Sequence, residues 1–251
     1  MIISRTRRLV VLVALGLAAA QGPTWAQDPT TPVSKHAWDT LSVLDTARGR
    51  LIPIAVMRPT GVNQLRPRVV LVSHGYNDNK AGTYLLFTGI AEGLCNAGFV
   101  VVSVQHELPG DEQMPMTGDF RVVRRPNWER GVENLRAVIR TIQDLEPEWD
   151  LEQVDLVGHS NGGDISMLHA QLYPEQVRTA LSMDNRRMPL PRTSRPRIAS
   201  LRADDVPADP GVIPSLEEQR AYGIQVIHMA GFKHIHFNDH ATPEQRLELV
   251  R

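Results

Sequence analysis

A serine bracketed by glycines, Gly158-His159-Ser160-Asn161-Gly162, follows the apolar stretch Val154-Asp155-Leu156-Val157 and precedes a helical pattern, and this order constrains the fold more than any other feature. The string alone is common in loops, so its weight comes from its surroundings. To turn sharply from strand into helix, the chain must hold the serine in a strained backbone conformation, and side chains two residues away on either side would collide. Gly163 then leads into Ile165, Met167, Leu168, Ala170 and Leu172 before Tyr173-Pro174, which reads as a buried helix stopped by proline. Strand, tight turn and helix in this order are the layout of a nucleophile elbow, with the Ser160 hydroxyl pushed into solvent.

The same strand-helix rhythm extends over the chain. Thr40–Asp45 and Leu51–Arg58 flank the turn Ala47-Arg48-Gly49-Arg50 and predict an antiparallel hairpin. Short apolar runs follow at Val69–Val72 and Phe99–Val104, separated by a helical stretch from Thr83 to Ala97. A helix at Trp128–Leu145, the elbow strand and its helix come next. Strands are then expected at Val177–Met183, Arg197–Leu201 and Ile224–Met229, with helices at Leu216–Tyr222 and from Pro243. Apolar strands alternating with helices predict an α/β domain, a mostly parallel central sheet with helices on both faces. The spacer Asp184–Pro196 is too brief for a large cap, so an open site is expected. The long connection His106–Asn127, rich in Pro and Gly, would emerge at the carboxyl ends of the strands and is the expected substrate-shaping loop.

The first residues are read apart from the fold. Arg5, Arg7 and Arg8 precede an apolar run from Leu9 to Ala20 and then Thr24-Trp25-Ala26, the pattern of a secretory signal peptide over residues 1–26, cleaved after Ala26. The run is too short to span a bilayer comfortably, so export to a periplasm or beyond is expected, with no integral membrane span after cleavage. Residues 27–38 are expected as an exposed leader and 39–251 as one catalytic domain. Removing residues 1–26 removes three arginines and no acids, taking the formal charge from −1 to −4. That balance, with no basic run interleaved with aromatics, argues against nucleic acid as a partner. The single cysteine, Cys95, cannot form an internal disulfide and reads as a small core residue.

A serine hydroxyl needs a base to take its proton and a carboxylate to orient that base. After the last strand the sequence offers His234, His236 and His240; His234 comes first, where the loop would pass above the elbow, and His236 is the alternative. For the acid, Asp205 lies a few residues past the strand ending at Leu201, with Asp209 next and Asp184, at the end of the preceding strand, a further candidate. Asp204 is expected to face solvent. Amide donors for a developing oxyanion are assigned to Asn161, just after the serine, and Tyr76, in Ser73-His74-Gly75-Tyr76-Asn77. His159 is expected in a local packing or hydrogen-bonding role. A zinc site at His234, His236 and His240 is the competing reading; the elbow explains the site without metal, and cysteine ligands are absent. Arg121, Arg124, Arg125, Arg186 and Arg187 read as a solvated rim.

With these residues in place the chain resembles the α/β-hydrolase superfamily over nearly all of residues 39–251. The segment Val69–Gln105, with His74-Gly75-Tyr76, looks like the lipase and esterase branch with an extended loop, similar also to the platelet-activating-factor acetylhydrolase-like group. His234-Ile235-His236-Phe237-Asn238-Asp239 resembles that group's catalytic-histidine loop, which favours His234 over His236. The resemblance implies an α/β-hydrolase fold and hydrolysis of a small-molecule ester or thioester through an acyl-enzyme, without a cofactor. An acyltransferase or peptidase using the same residues, and a binding protein that keeps the fold without the chemistry, are the competing functions.

Overall fold

The computed structural model describes residues 36–60 and 65–250; the expected signal segment and its cleavage site lie outside the described residues. Eight strands form one sheet: β1 (Asp39–Asp45), β2 (Arg50–Met57), β3 (Arg68–Ser73), β4 (Val100–Val104), β5 (Asp150–His159), β6 (Val177–Met183), β7 (Arg197–Arg202) and β8 (Gln225–His228), in spatial order β1-β2-β4-β3-β5-β6-β7-β8. The opening hairpin and the β2–β4 pair are antiparallel, and every later pair is parallel. Helices α1 (Thr88–Asn96), α2 (Phe120–Val123), α3 (Arg125–Leu145), α4 (Asn161–Leu172), α5 (Leu216–Tyr222) and α6 (Pro243–Leu249) connect or close the strands.

The period of two along β3 explains why its central residues, Val69–Val72, are all apolar. Val69 and Leu71 enter the core shared with Trp128, Leu135 and Val138 of α3 and Ile165 and Leu168 of α4. Val70 and Val72 face the other way, into the core shared with Phe87, Ile90, Ala91 and Cys95. A strand covered on both faces leaves its middle positions to apolar side chains, and the polar residues Arg68 and Ser73 stand at its two ends. Cys95 is fully buried, with its thiol proton donated to the Met57 carbonyl and its pKa pushed by burial to about 12, so it is chemically inert at neutral pH.

Three expectations are refined. The stretch Thr83–Ala97 is not one helix: a 3-10 turn at Thr83–Leu85 is separate from α1, whose first amides, Thr88 and Gly89, donate to the Asp239 carboxylate at 2.9 and 3.0 Å. A carboxylate at a helix N-terminus satisfies orphan donors and meets the positive end of the dipole. Pro126 belongs to α3, not to the loop before it, because the first helical turn does not need the missing N–H. The expected exposed leader already packs on the domain at its last residues: His36 is buried against the Arg58 carbonyl and Asn96, and the Trp38 indole donates to Thr88. No helix among the described residues is long and apolar enough to cross a membrane. Between β6 and β7 the chain forms no helix, so no cap covers the carboxyl edge of the sheet there.

Candidate active site

The turn between β5 and α4 has the geometry its sequence predicts. Ser160 sits at φ 53° and ψ −119°, a strained conformation for a residue with a side chain. It is held there by its own N–H, which donates to the Met183 carbonyl of β6, and by its carbonyl, which accepts from Asp164 in α4. A Cβ on Gly162 would drive into the Ser73 and His74 carbonyls, and one on Gly158 would meet Ser166 Oγ at 2.5 Å, so α4 can approach β3 and β5 only where these positions are bare. Gly162→Ala is therefore expected to destabilise the protein by about 3 kcal/mol or more, because the obstacle is rigid backbone; an unchanged urea midpoint would contradict this.

His234 lies in the loop after β8, in a 3-10 turn over His234–His236. Its Nε2 is 2.9 Å from Ser160 Oγ and its Nδ1 is 2.5 Å from Asp184 Oδ2. An ionised carboxylate can only accept, which places the imidazole proton on Nδ1 and leaves Nε2 to accept from the serine hydroxyl. Asp184 is completely buried. Burial works to raise its pKa, but the His234 hydrogen bond, the Arg202 charge and the Ala203 amide outweigh it and hold the carboxyl below the usual range. Arg202 reaches Asp184 Oδ1 at 3.1 Å, and Arg186 stands 3.7 Å from Oδ2.

Asp184, and not Asp205, is thus the carboxylate on the His234 ring. The reason is strand order: β6 is the immediate neighbour of β5, so the residue that ends β6 emerges beside the elbow, whereas the loop after β7 starts one strand further away. Asp205 instead accepts the His234 backbone N–H at 2.8 Å. Asp209 pairs with Arg187, and Asp204 accepts from the Gly231 amide at 2.7 Å and contacts His228 at 2.5 Å. His236 is engaged at Nδ1 by the Gln245 side chain at 2.8 Å and does not contact Ser160. Among the described residues no three His, Cys, Asp or Glu side chains come together as the ligands of one metal ion would.

His159 packs its ring against that of His234, with 4.7 Å between centroids, and its Nε2–H donates to the His234 carbonyl at 2.9 Å. Burial, with the neighbouring His234 adding to it, pushes its pKa down to about 3, so it stays neutral. Asn161 is the first residue of α4, where an amide has no intrahelical acceptor. The Gly75–Tyr76 loop stands against the serine: a Cβ on Gly75 would be 3.1 Å from Ser160 Cβ. Ser160, His159, His234, Gly75, Tyr76 and Phe87 share a cavity of about 180 Å³. A larger cleft of about 520 Å³, between the β1–β2 turn and α3, shares none of its lining, and the described residues around it offer no hydroxyl, thiol or imidazole.

The long loop before α3 is tied to this site and to the segment after β6. The Tyr76 phenol donates to Gln113 and accepts from the Met114 amide. The guanidinium groups of Arg124 and Arg187 both lie over the Phe120 ring, at 4.3 and 4.5 Å from its centroid, and Arg121 donates to the Pro210 carbonyl at 2.5 Å. Arg125 pairs with Glu129. The arginines expected as a solvated rim thus act partly as staples between two loops.

Sequence reasoning passed over Glu107. It is buried just beyond β4 and accepts from the Asn161 side chain at 2.9 Å. The available signal was the polar run Gln105-His106-Glu107 continuing an otherwise apolar strand.

No protein-family model and no curated protein matches the sequence. The fold does match solved structures. An α/β serine hydrolase without a lid from Xanthomonas campestris aligns with a TM-score of 0.57 and 16% identity, over 88% of this chain and 94% of that one. A hyperthermophilic esterase from Pyrobaculum calidifontis aligns with a TM-score of 0.62 and 16% identity, over 86% and 80%. An acylaminoacyl peptidase from Pyrococcus horikoshii aligns with a TM-score of 0.60 and 12% identity, over 86% of this chain and 40% of that one.

Proposed function

From the premise that this chain has the α/β-hydrolase fold, we propose that it is a serine hydrolase that cleaves carboxylic esters through an acyl-enzyme. The observation that carries the reading is the unbroken chain from Ser160 Oγ through the His234 imidazole to the buried Asp184 carboxylate. Ser160 Oγ attacks the ester carbonyl carbon while its proton passes to His234 Nε2. The carbonyl electrons move onto oxygen, and the amides of Asn161 and Tyr76 hold the resulting oxyanion, each donor supplying about a hundredfold or more in rate. Collapse expels the alcohol oxygen, which takes the proton from His234 and leaves an acyl-serine. A water then gives its proton to His234 and attacks the acyl carbon; the acyl–Oγ bond breaks, the acid leaves, and His234 returns the proton to Ser160 Oγ. Asp184 stays ionised throughout and stabilises the transient imidazolium.

The reading takes esters over amides because the segment between β6 and β7 forms no helix that could close over a peptide. The fold likeness to an acylaminoacyl peptidase makes anilide cleavage the alternative to test in parallel. The basic and apolar pattern of residues 1–26 supports an exported enzyme.

Intact mass after exposure to a fluorophosphonate tests the proposal. One adduct is expected on the wild type and none on Ser160→Ala or His234→Ala, with p-nitrophenyl ester turnover lost in the same variants. A folded wild type that takes no adduct and cleaves no ester would sink it and leave a binding protein.

A further inference from the structure

Both proposed oxyanion donors are anchored on one buried dipeptide, His106-Glu107. Along the first arm, Glu107 Oε1 accepts from Asn161 Nδ2 at 2.9 Å, and Asn161 Oδ1 accepts from the Trp128 indole at 2.8 Å. The side chain of the first residue of α4 is thereby clamped from two sides. Along the second arm, the His106 amide donates to His74 Nε2 at 3.0 Å, which fixes the proton on Nδ1, and that Nδ1–H donates to the Gly75 carbonyl at 2.8 Å. The Gly75 carbonyl and the Tyr76 N–H belong to one planar peptide and point in opposite directions, so holding the carbonyl aims the amide. Glu107 Oε2 lies 3.8 Å from His74 Nδ1, so the two arms run side by side in one buried pocket without a hydrogen bond between them.

We propose that Glu107 is a positioning residue for the oxyanion hole, holding the Asn161 amide in line with the Tyr76 amide that His74 orients. The inference rests on Ser160 being the nucleophile. Glu107 touches no substrate atom; it acts through Asn161. The carboxyl faces His74 from the loop after β3, Arg50 from β2, Arg130 from α3 and Asp111 from its own loop. Burial raises its pKa to about 7, with Asp111 adding to the rise while Arg130 and Arg50 oppose it. The neutral acid holds Asn161 without setting a charge beneath the position where the oxyanion forms, so ionisation above neutral pH should slow turnover.

Steady-state kinetics of Glu107→Gln, Glu107→Ala and Asn161→Ala on a p-nitrophenyl ester test this. Gln keeps an acceptor for Asn161, so Glu107→Gln should retain turnover within about threefold and lose the alkaline decline in kcat expected of the wild type above about pH 7. Glu107→Ala and Asn161→Ala should each lower kcat about 30-fold with KM little changed, and the double variant should be no worse than either alone, because both cut one arm. Equal losses in Glu107→Gln and Glu107→Ala, additive losses in the double variant, or an alkaline decline that persists in Glu107→Gln would each overturn the assignment. A wild type that takes the fluorophosphonate adduct while Glu107→Ala turns over normally would refute the role of Glu107 alone. A wild type that takes none would refute the nucleophile.

Discussion

Asp184→Asn should lower kcat/KM for an ester by about 10³- to 10⁴-fold, while Asp205→Asn should leave it within about tenfold. The amide in Asp184→Asn can donate to His234 Nδ1, which forces the ring proton onto Nε2, where it can no longer accept from Ser160. Asn is also the informative substitution because Asp184 sits at φ 57°, a left-handed conformation that Asn tolerates better than other residues. The change leaves Arg202 without its buried partner, and losing one member of such a pair typically costs about 3 kcal/mol or more. A thermal melt beside the kinetics separates that loss from the catalytic one. Asp205→Asn keeps an oxygen to accept the His234 amide, so it should only loosen the loop. If Asp205→Asn proved the crippling change and Asp184→Asn stayed active, the assignment of the acid would be wrong.

Stability should fall steeply on acidification, with the thermal midpoint about 10 °C lower at pH 4.5 than at pH 6.5. Four buried histidines carry this. Burial, the largest cause in each case, depresses His74 to about 4, His159 to about 3, His169 to about 4, and His106 well below its ordinary value. Between those values and the unfolded pKa of about 6.5 the unfolded chain binds the extra protons, so each group withdraws roughly 1 kcal/mol for every pH unit below 6.5. Two carboxyls act in the opposite sense. Burial raises Glu107 to about 7 and Asp164 to about 6, so their stabilising share is present at low pH and lost as pH rises. Four against two leaves a net loss of roughly 2 kcal/mol per unit, about 4 kcal/mol across this two-unit window, a large part of the roughly 5–15 kcal/mol that holds a domain together. A midpoint that stayed flat or rose between pH 6.5 and 4.5 would contradict the neutral assignment of these rings.

The elements that read clearly from the sequence are those whose information is local. The hairpin, the apolar strands and the elbow announce themselves by period and by glycine placement, and β3, β5 and α4 fall where their patterns put them. His234 was legible because the last strand is followed at once by a loop that must cross the elbow. The acid was not, because its position depends on which strands lie side by side, and three aspartates close together after β7 offered a more obvious choice. Each of the three is used elsewhere: Asp204 on the Gly231 amide, Asp205 on the His234 amide and Asp209 on Arg187. Glu107 was hidden for a similar reason, since nothing near it in sequence reveals that Asn161, far along the chain, donates to it.

The segment from Gly231 to Asp239 has little regular structure, yet it is fastened at both ends and in the middle. Asp204 takes the amide of Gly231, Asp205 that of His234, and Asp239 reaches across to the first turn of α1. Such a loop has already surrendered its conformational entropy during folding, so a molecule arriving at His234 need not supply that cost from its own binding energy. The imidazole stands ready before any encounter, and recognition can be left to the shape of an open cleft rather than to closure around the guest.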